Sequence, residues 1–365
     1  MKKLCFLLTI MLLCQCFAAG AASPAQASEI LFAAEDFEVL CSAQDENGNL
    51  CIGGRTKMPK GRLICVDTTG NTLWSVENDL PGGDWYSSIV PCGDGRYMAL
   101  HQQNDSTFTH HPEMIEQGQV VKTTHLPDEQ AFSLYPAEDG VLLLTGGAID
   151  ATHLSKWSYD GEQLWKLDFG KGYRFKEVLT LQEGYLGIGY HIPDHDSAGD
   201  AAVCLIDKEG RSVQEYFSKK DSRWVDAAIH NGKLYLFGET EHEELFKGIV
   251  AANASAEGME PVIYTPDTQG ELSHFSLVPM DGGFLTASSQ WNRLIPTVLT
   301  LTRFEAKCQV LGTFTCPMAD LRAICDCWLF SKNGQAFALV CGTVEGSFQY
   351  VARLVQIPLG IGSAR

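Results

Sequence analysis

Short apolar runs alternate with glycine turns along the whole chain. The turns stand at Asn47-Gly48, Asp94-Gly95, Asp139-Gly140, Glu183-Gly184, Asn231-Gly232, Gly282-Gly283 and Asn333-Gly334, with the glycines 47, 45, 44, 48, 51 and 51 residues apart. A second apolar run begins almost at once after each turn, as in Leu50-Cys51-Ile52, Tyr97-Met98-Ala99-Leu100, Val141-Leu142-Leu143-Leu144 and Leu234-Tyr235-Leu236-Phe237. Asn-Gly and Asp-Gly take up positive φ at little cost, so an apolar run on each side of such a pair predicts a tight hairpin. One hairpin per repeat follows.

A second turn lies downstream in most repeats. Its clearest copy runs from Leu63-Ile64-Cys65-Val66 through Asp67-Thr68-Thr69-Gly70 to Asn71-Thr72-Leu73-Trp74. It recurs at Trp157 to Trp165, with Ser158 where the aspartate stood, and at Leu205 to Gln214, with Gln214 in place of the tryptophan. Two hairpins make a four-stranded antiparallel unit, and a 44- to 51-residue period of such units predicts a radial array. The expected fold is all-β, a seven-bladed β-propeller of four-stranded antiparallel blades.

The apolar-x-apolar-Asp-x-x-Gly-x-x-Leu-Trp stretch resembles the repeat of quinoprotein-like, PQQ-type propellers, in diluted form over roughly residues 37 to 357. The resemblance implies architecture. Quinoprotein dehydrogenases keep an adjacent pair of cysteines and metal ligands over their cofactor, and this chain has no Cys-Cys pair. No cofactor and no redox activity are therefore expected.

The last repeat supplies three strands, Arg322 to Phe330, Gln335 to Cys341 and Phe348 to Ile357. The segment Ser28 to Ala34 precedes the first repeat and has no other partner, so it is expected to provide the missing outer strand and hide two sheet edges. Residues 28 to 365 then form one domain. Ahead of them, Lys2 and Lys3 precede the apolar run Leu4 to Leu13, and Ala25-Gln26-Ala27 is an A-x-A cleavage site. Residues 1 to 27 read as a secretory signal peptide. Its apolar core is short for a bilayer span, so no membrane insertion is expected after cleavage.

Composition sharpens this picture in two ways. The chain holds 45 acidic and 27 basic residues, a net charge of -18 that becomes more negative by two when Lys2 and Lys3 leave with the signal. This balance disfavours nucleic acid and anionic membrane as partners. The ten cysteines beyond the signal, Cys41, Cys51, Cys65, Cys92, Cys204, Cys308, Cys316, Cys325, Cys327 and Cys341, permit disulfides in an exported chain without fixing their connectivity. Cys308 and Cys316 flank a turn and are placed to pair. Cys325 and Cys327 fall on one face of a strand without zinc-finger spacing, so buried thiols are expected rather than metal.

Tight turns put one side of each blade out of use. The connections between second and third strands, and between blades, collect on the other side, and they are the long ones: Arg55 to Lys60, His101 to Pro112, Tyr190 to Asp200, Glu239 to Lys247 and Ser289 to Ile295. Binding residues favour such loops on a rigid scaffold. Gln290, Trp291, Asn292 and Arg293 combine a ring, two amides and a guanidinium suited to a sugar or peptide. His191 and His195, with Asp194 and Asp196, have the composition of a divalent site, although a polar turn is the simpler reading and no metal is assigned. His101, with His110 and His111, is placed on a second loop. An aromatic set opens the first strand of successive repeats, Trp85 and Tyr86, Phe132, Phe175, Trp224 and Phe275, and packing between sheets explains it better than a ligand cage. Trp224 alone of that set is kept among the binding candidates.

No Gly-x-Ser-x-Gly, His-Glu-x-x-His or phosphate-binding loop appears, and Ser158-Tyr159-Asp160-Gly161 misses the sialidase pattern by one position. The expectation is a secreted or envelope-associated bacterial module that binds or scaffolds a glycan, peptide or protein. The alternative is an extracellular glycan hydrolase or lyase using carboxylates or histidines at the channel mouth.

Overall fold

The computed structural model describes residues 29–358 except 79–81, 105–108, 127–129, 147–150, 193–198, 218–221, 231–232, 241–247, 254–270, 292–297, 307–308, 319 and 345–348. Regular structure among the described residues is all strand. In chain order the first two sheets are β2 (Phe37–Gln44), β3 (Leu50–Thr56), β4 (Gly61–Val66) and β5 (Thr72–Glu77), then β6 (Asp84–Pro91), β7 (Arg96–Gln103), β8 (Thr109–Glu116) and β9 (Gln119–Thr123). They are followed by β10 (Ala131–Ala137), β11 (Gly140–Thr145), β12 (His153–Ser158) and β13 (Gln163–Asp168), and by β14 (Tyr173–Leu181), β15 (Gly184–His191), β16 (Asp200–Asp207) and β17 (Ser212–Phe217). A three-stranded sheet of β18 (Ser222–His230), β19 (Lys233–Thr240) and β20 (Gly248–Asn253) comes next, then β21 (Glu271–Met280), β22 (Gly283–Trp291), β23 (Val298–Glu305) and β24 (Val310–Pro317). The last sheet joins β25 (Leu321–Lys332), β26 (Gln335–Val344) and β27 (Tyr350–Ile357) to β1 (Glu29–Glu35) from the other end of the chain.

Among the described residues, six four-stranded antiparallel blades of a β-propeller are thus present, one of them closed by the amino-terminal strand as expected. The first strand of each sheet touches the first strand of the next, from β2 through β6, β10, β14, β18 and β21 to β25 and back to β2.

The turns work as their residues dictate. Asp94 and Gly95 both have positive φ, at 53° and 71°, as do Asn333 and Gly334 at 51° and 75°, which is the twist a tight hairpin needs. In the second turn, Asp67 Oδ1 accepts hydrogen bonds from the Thr69 and Asn71 amides at 2.8 and 2.9 Å. Desolvation opposes ionisation there, but these bonds prevail and hold Asp67 at about 2.

The core consists of apolar layers between sheets. Cys51, Leu63 and Cys65 meet Tyr86, Tyr97 and Ile115 between the first two, and Ile52, Ile64 and Phe37 meet Leu339 and Leu354 where the ring closes. Between β18–β20 and β21–β24, Tyr235 lies 4.8 Å from Phe284, which stacks on Phe304 at 4.8 Å. The second strands carry most of this burial, with β11 buried along its length, while the outer strand β9 is exposed throughout. All nine described cysteines are thiols. Cys308 lies outside the described residues. Cys325 and Cys327 do not share an environment: a bulge between Ile324 and Asp326 shifts the register, leaving Cys325 exposed and Cys327 buried.

Candidate functional site

One irregularity recurs in every sheet. The pairing of the first strand with the second slips by one residue at Val39/Cys41, Tyr86/Ser88, Ala131/Ser133, Phe175/Glu177, Trp224/Asp226, His274/Ser276 and Ile324/Asp326. Each slip is a β-bulge that leaves one residue unpaired and re-aims it. The unpaired residues Phe132, Lys176 and Cys325 are exposed, although each lies inside a strand.

The residue after the bulge ties neighbouring sheets together. Ser88 Oγ accepts a hydrogen bond from the Leu134 amide at 2.9 Å, Asp226 Oδ2 accepts one from Leu277 at 2.6 Å, and Ser276 Oγ accepts one from Leu329 at 3.1 Å. Three of these positions are carboxylates. Burial pushes Glu177 up to about 8, helped by the Asp226 charge, and pushes Asp226 up to about 7 and Asp326 up to about 6 against the amide bonds that favour ionisation.

Two of the re-aimed side chains open a cavity. It holds about 320 Å³ between β10–β13 and β14–β17, and its wall is Phe132, Ser133, Leu144, Thr152, Arg174, Phe175, Lys176 and Tyr190. Phe132 and Lys176 are the unpaired residues of adjacent bulges. Ser133 and Arg174 lie near the starts of β10 and β14, Tyr190 near the end of β15 and Thr152 just before β12, so the cavity opens on the side of the long connections. Leu144 and Phe175 form a buried apolar floor. Arg174 is steadied by an Nη1 hydrogen bond to the Tyr173 carbonyl at 2.7 Å. The Thr152 hydroxyl is spent on the same carbonyl at 2.6 Å. The opening therefore combines two cations, Arg174 and Lys176, with the apolar surface of Phe132, Leu144 and Phe175.

A second constellation lies on the same side, between the first two sheets. His101 Nε2 meets Asp84 Oδ2 at 2.7 Å and Nδ1 meets Glu113 Oε1 at 3.1 Å. Tyr86 donates to Glu113 Oε2 at 3.0 Å and accepts from Asn78 at 2.7 Å, while its ring stacks on the imidazole at 4.9 Å. Burial alone draws His101 down, yet the hydrogen bonds and charges of Asp84 and Glu113 outweigh it and push the imidazole up to about 9. Asp84, His101 and Glu113 are 0, 2 and 7% exposed, so the trio is sealed from any substrate. It holds three strands of one sheet together.

The candidates read from the sequence separate accordingly. His101 does not sit on a loop: β7 runs to Gln103 and β8 starts at Thr109, because pairing of Gln102 with His110 extends the hairpin into the expected connection. The same extension puts Arg55, Tyr190, His191, Glu239, Ser289, Gln290 and Trp291 on strand ends. Trp224 is 5% exposed and packs with Leu186, Ile188 and Val203, which makes it an inter-sheet core residue as the repeat argument favoured. His191 ends β15 with its ring 4.5 Å from that of Tyr173. Gln290 and Trp291 end β22, paired with Leu272 and Glu271. His195, Asn292 and Arg293 lie outside the described residues. No group of three or more His, Cys, Asp or Glu suited to a metal occurs among the described residues.

The aromatic set also divides. Tyr86, Phe175 and Trp224 stand just before the bulge and are buried, whereas Phe132 is the bulged residue itself and is 44% exposed. Lys176 was missed altogether. Its signal was available: a polar residue one or two places after the aromatic, Lys176 and Glu177 after Phe175 or Asp226 after Trp224, breaks the strand alternation at the point of the slip.

No family model and no curated protein matches the chain. Among solved structures, Raptor of Chaetomium thermophilum is similar with a TM-score of 0.60 at 9% identity, over 91% of this chain and 29% of Raptor. The computationally designed Ika8 protein is similar with a TM-score of 0.51 at 9% identity, over 90% of this chain and all of that one. The chain thus spans less than a third of the length of Raptor. At such identities the likeness is one of fold.

Proposed function

We propose that this propeller is an exported binding or scaffolding module that takes a glycan, peptide or protein partner on its long-connection side, with the cavity beside Phe132, Arg174 and Lys176 as its anchor. The observation that carries the reading is the cavity itself: two bulges spend strand order to present an aromatic ring and a cation at one opening. The bulge recurs in every sheet, so what marks this gap is that an aromatic ring and a cation from two neighbouring bulges line one cavity together. The three-stranded sheet β18–β20 is read as the seventh blade, standing in the ring between β14 and β21. The Asp-x-x-Gly turns and outer-strand tryptophans support a PQQ-type repeat, and the Lys2 to Ala27 segment supports export by a cleaved signal. An enzymatic reading has less behind it, because the Asp84–His101–Glu113 set is closed to solvent.

The test is binding to glycan and peptide arrays by the protein secreted from its own signal, with the amino terminus of the secreted form sequenced. Retention on the array by the native chain, lost on blocking the cavity with Ser133→Trp, supports the module. Equal retention by the blocked chain refutes the anchor, and a secreted form still carrying Lys2 refutes cleavage.

A further inference from the structure

We infer that the cavity recognises a peptide segment presenting a carboxylate beside an apolar side chain, an assignment that rests on the reading of this side of the propeller as a binding surface. The described wall carries two cations, Arg174 and Lys176, and no carboxylate, in a chain with 45 acidic residues against 27 basic ones. Such local reversal of sign selects an anion. The Lys176 ammonium, turned outward by its bulge, makes no ion pair among the described residues. The Arg174 guanidinium is a planar fork already steadied by the Tyr173 carbonyl, the arrangement that favours carboxylate over a spherical anion.

The rest of the wall decides between a peptide and an acidic sugar. Phe132, Leu144 and Phe175 offer apolar surface, and of the three wall hydroxyls, those of Ser133, Thr152 and Tyr190, the Thr152 one is already committed to the Tyr173 carbonyl. A uronic acid would bury several hydroxyls against these groups with few partners for them, and a buried hydroxyl left without a partner weakens binding. An apolar side chain next to an acidic one makes no such demand. About 320 Å³ admits one or two side chains and no more, so the segment docks by its tip. The negative charge of the whole chain opposes an acidic segment at a distance, but physiological salt screens that field beyond ~8 Å, and the two wall cations govern at contact.

The experiment uses the whole exported chain and a synthetic peptide array in which every acidic, apolar-rich sequence stands beside its Glu-to-Gln counterpart, with oligouronate and neutral oligosaccharide spots on the same surface. Retention is expected on acidic peptides, at least tenfold above their Gln counterparts. Lys176→Glu and the Arg174→Ala, Lys176→Ala pair are expected to reduce it roughly tenfold or more, and Phe132→Ala to weaken it without changing the preference for acid. Circular dichroism and the unfolding midpoint confirm that each variant is folded, and Lys176, being exposed, gives a variant that tests charge without disturbing the core. Equal binding of Gln counterparts, or a preference for oligouronate lost in the same variants, overturns the ligand class and leaves the binding surface standing. Binding that ignores all three variants overturns the cavity as anchor, and a chain that retains nothing on the array overturns both.

Discussion

The outer-strand residue Trp74 packs against Gly118 in the second turn of the following sheet, where a Cβ on the glycine would lie 3.0 Å from the Trp74 Cβ. The same fit joins Trp165 to Gly210, with the Trp165 indole donating to the Lys208 carbonyl at 3.0 Å. The tryptophan of one repeat therefore reads the glycine of the next, which explains why Asp-x-x-Gly and Trp travel together in the sequence. Both glycines also have positive φ, at 78° and 81°. Alanine at Gly118 or Gly210 should destabilise the protein by more than the ~1–2 kcal/mol that left-handed φ costs alone. Gly95→Ala is the control, since its φ is 71° and nothing lies within 4 Å of its added Cβ. Urea unfolding of the three variants checks this, and equal losses would remove the docking contact from the account.

His101 contributes stability in a defined pH window. Its value in the folded chain is raised to about 9 from an ordinary 6.5, so the stabilisation is full below 6.5 and disappears as pH rises through 9. His101→Gln leaves two buried carboxylates without their cation, and should cost about 3–5 kcal/mol at pH 6. The variant should also lack the fall in stability between pH 6.5 and 9. Denaturant midpoints across that range, with the imidazole titration followed by NMR, test both statements.

Much of this architecture is legible in the residues. Asn-Gly and Asp-Gly pairs locate the hairpins, the Trp and Asp-x-x-Gly copies locate the outer strands, and the three strands between Arg322 and Ile357 point to Ile30 and its neighbours as their fourth. These are local signals, fixed by backbone sterics and alternation. The site depends on something else. Lys176 and Phe132 become neighbours only because two bulges in different sheets face one gap, and a single-residue slip leaves no mark in a strand beyond one misplaced polar residue. His101 misled for a related reason: a polar run at a strand end reads as loop until its cross-strand partners, here Tyr86 and His111, are known.

The inner-strand carboxylates act in the opposite charge state to His101 but in the same direction. Glu177, Asp226 and Asp326 are raised to about 8, 7 and 6, so the folded state favours their neutral forms. Their contribution is complete below pH ~4 and is lost as pH rises through those values. Glu177→Gln should therefore raise the unfolding midpoint at pH 8 and leave it nearly unchanged at pH 4. Because Asp226 is among the causes of the Glu177 shift, Asp226→Asn should bring the Glu177 titration down, though part of the effect of that variant on stability will come from the weaker acceptor offered to the Leu277 amide. A Glu177→Gln chain that is no more stable than the native one at pH 8 would contradict the assignment.

Closure by β1 makes the sharpest demand on the fold. β1 pairs with β27 from Glu29 opposite Gln356 to Glu35 opposite Val351, and the Leu31 carbonyl lies against Gly70 in the turn of the first sheet, the place that Trp74 takes on Gly118 one sheet later. Arg353 fixes the same corner, reaching Glu35 at 2.8 Å and Asp320 at 3.2 Å. A chain beginning at Asp36 would bare the β27 edge and uncover Leu354 and Ala352 beneath it. Such a chain should unfold at lower denaturant, and it should recover when a synthetic peptide of residues 29–35 is added in excess, with an affinity lost in a peptide carrying proline at Ala33, whose register partner is Arg353. Full stability of the truncated chain, or recovery with the proline peptide, would show that the last sheet holds without its amino-terminal strand.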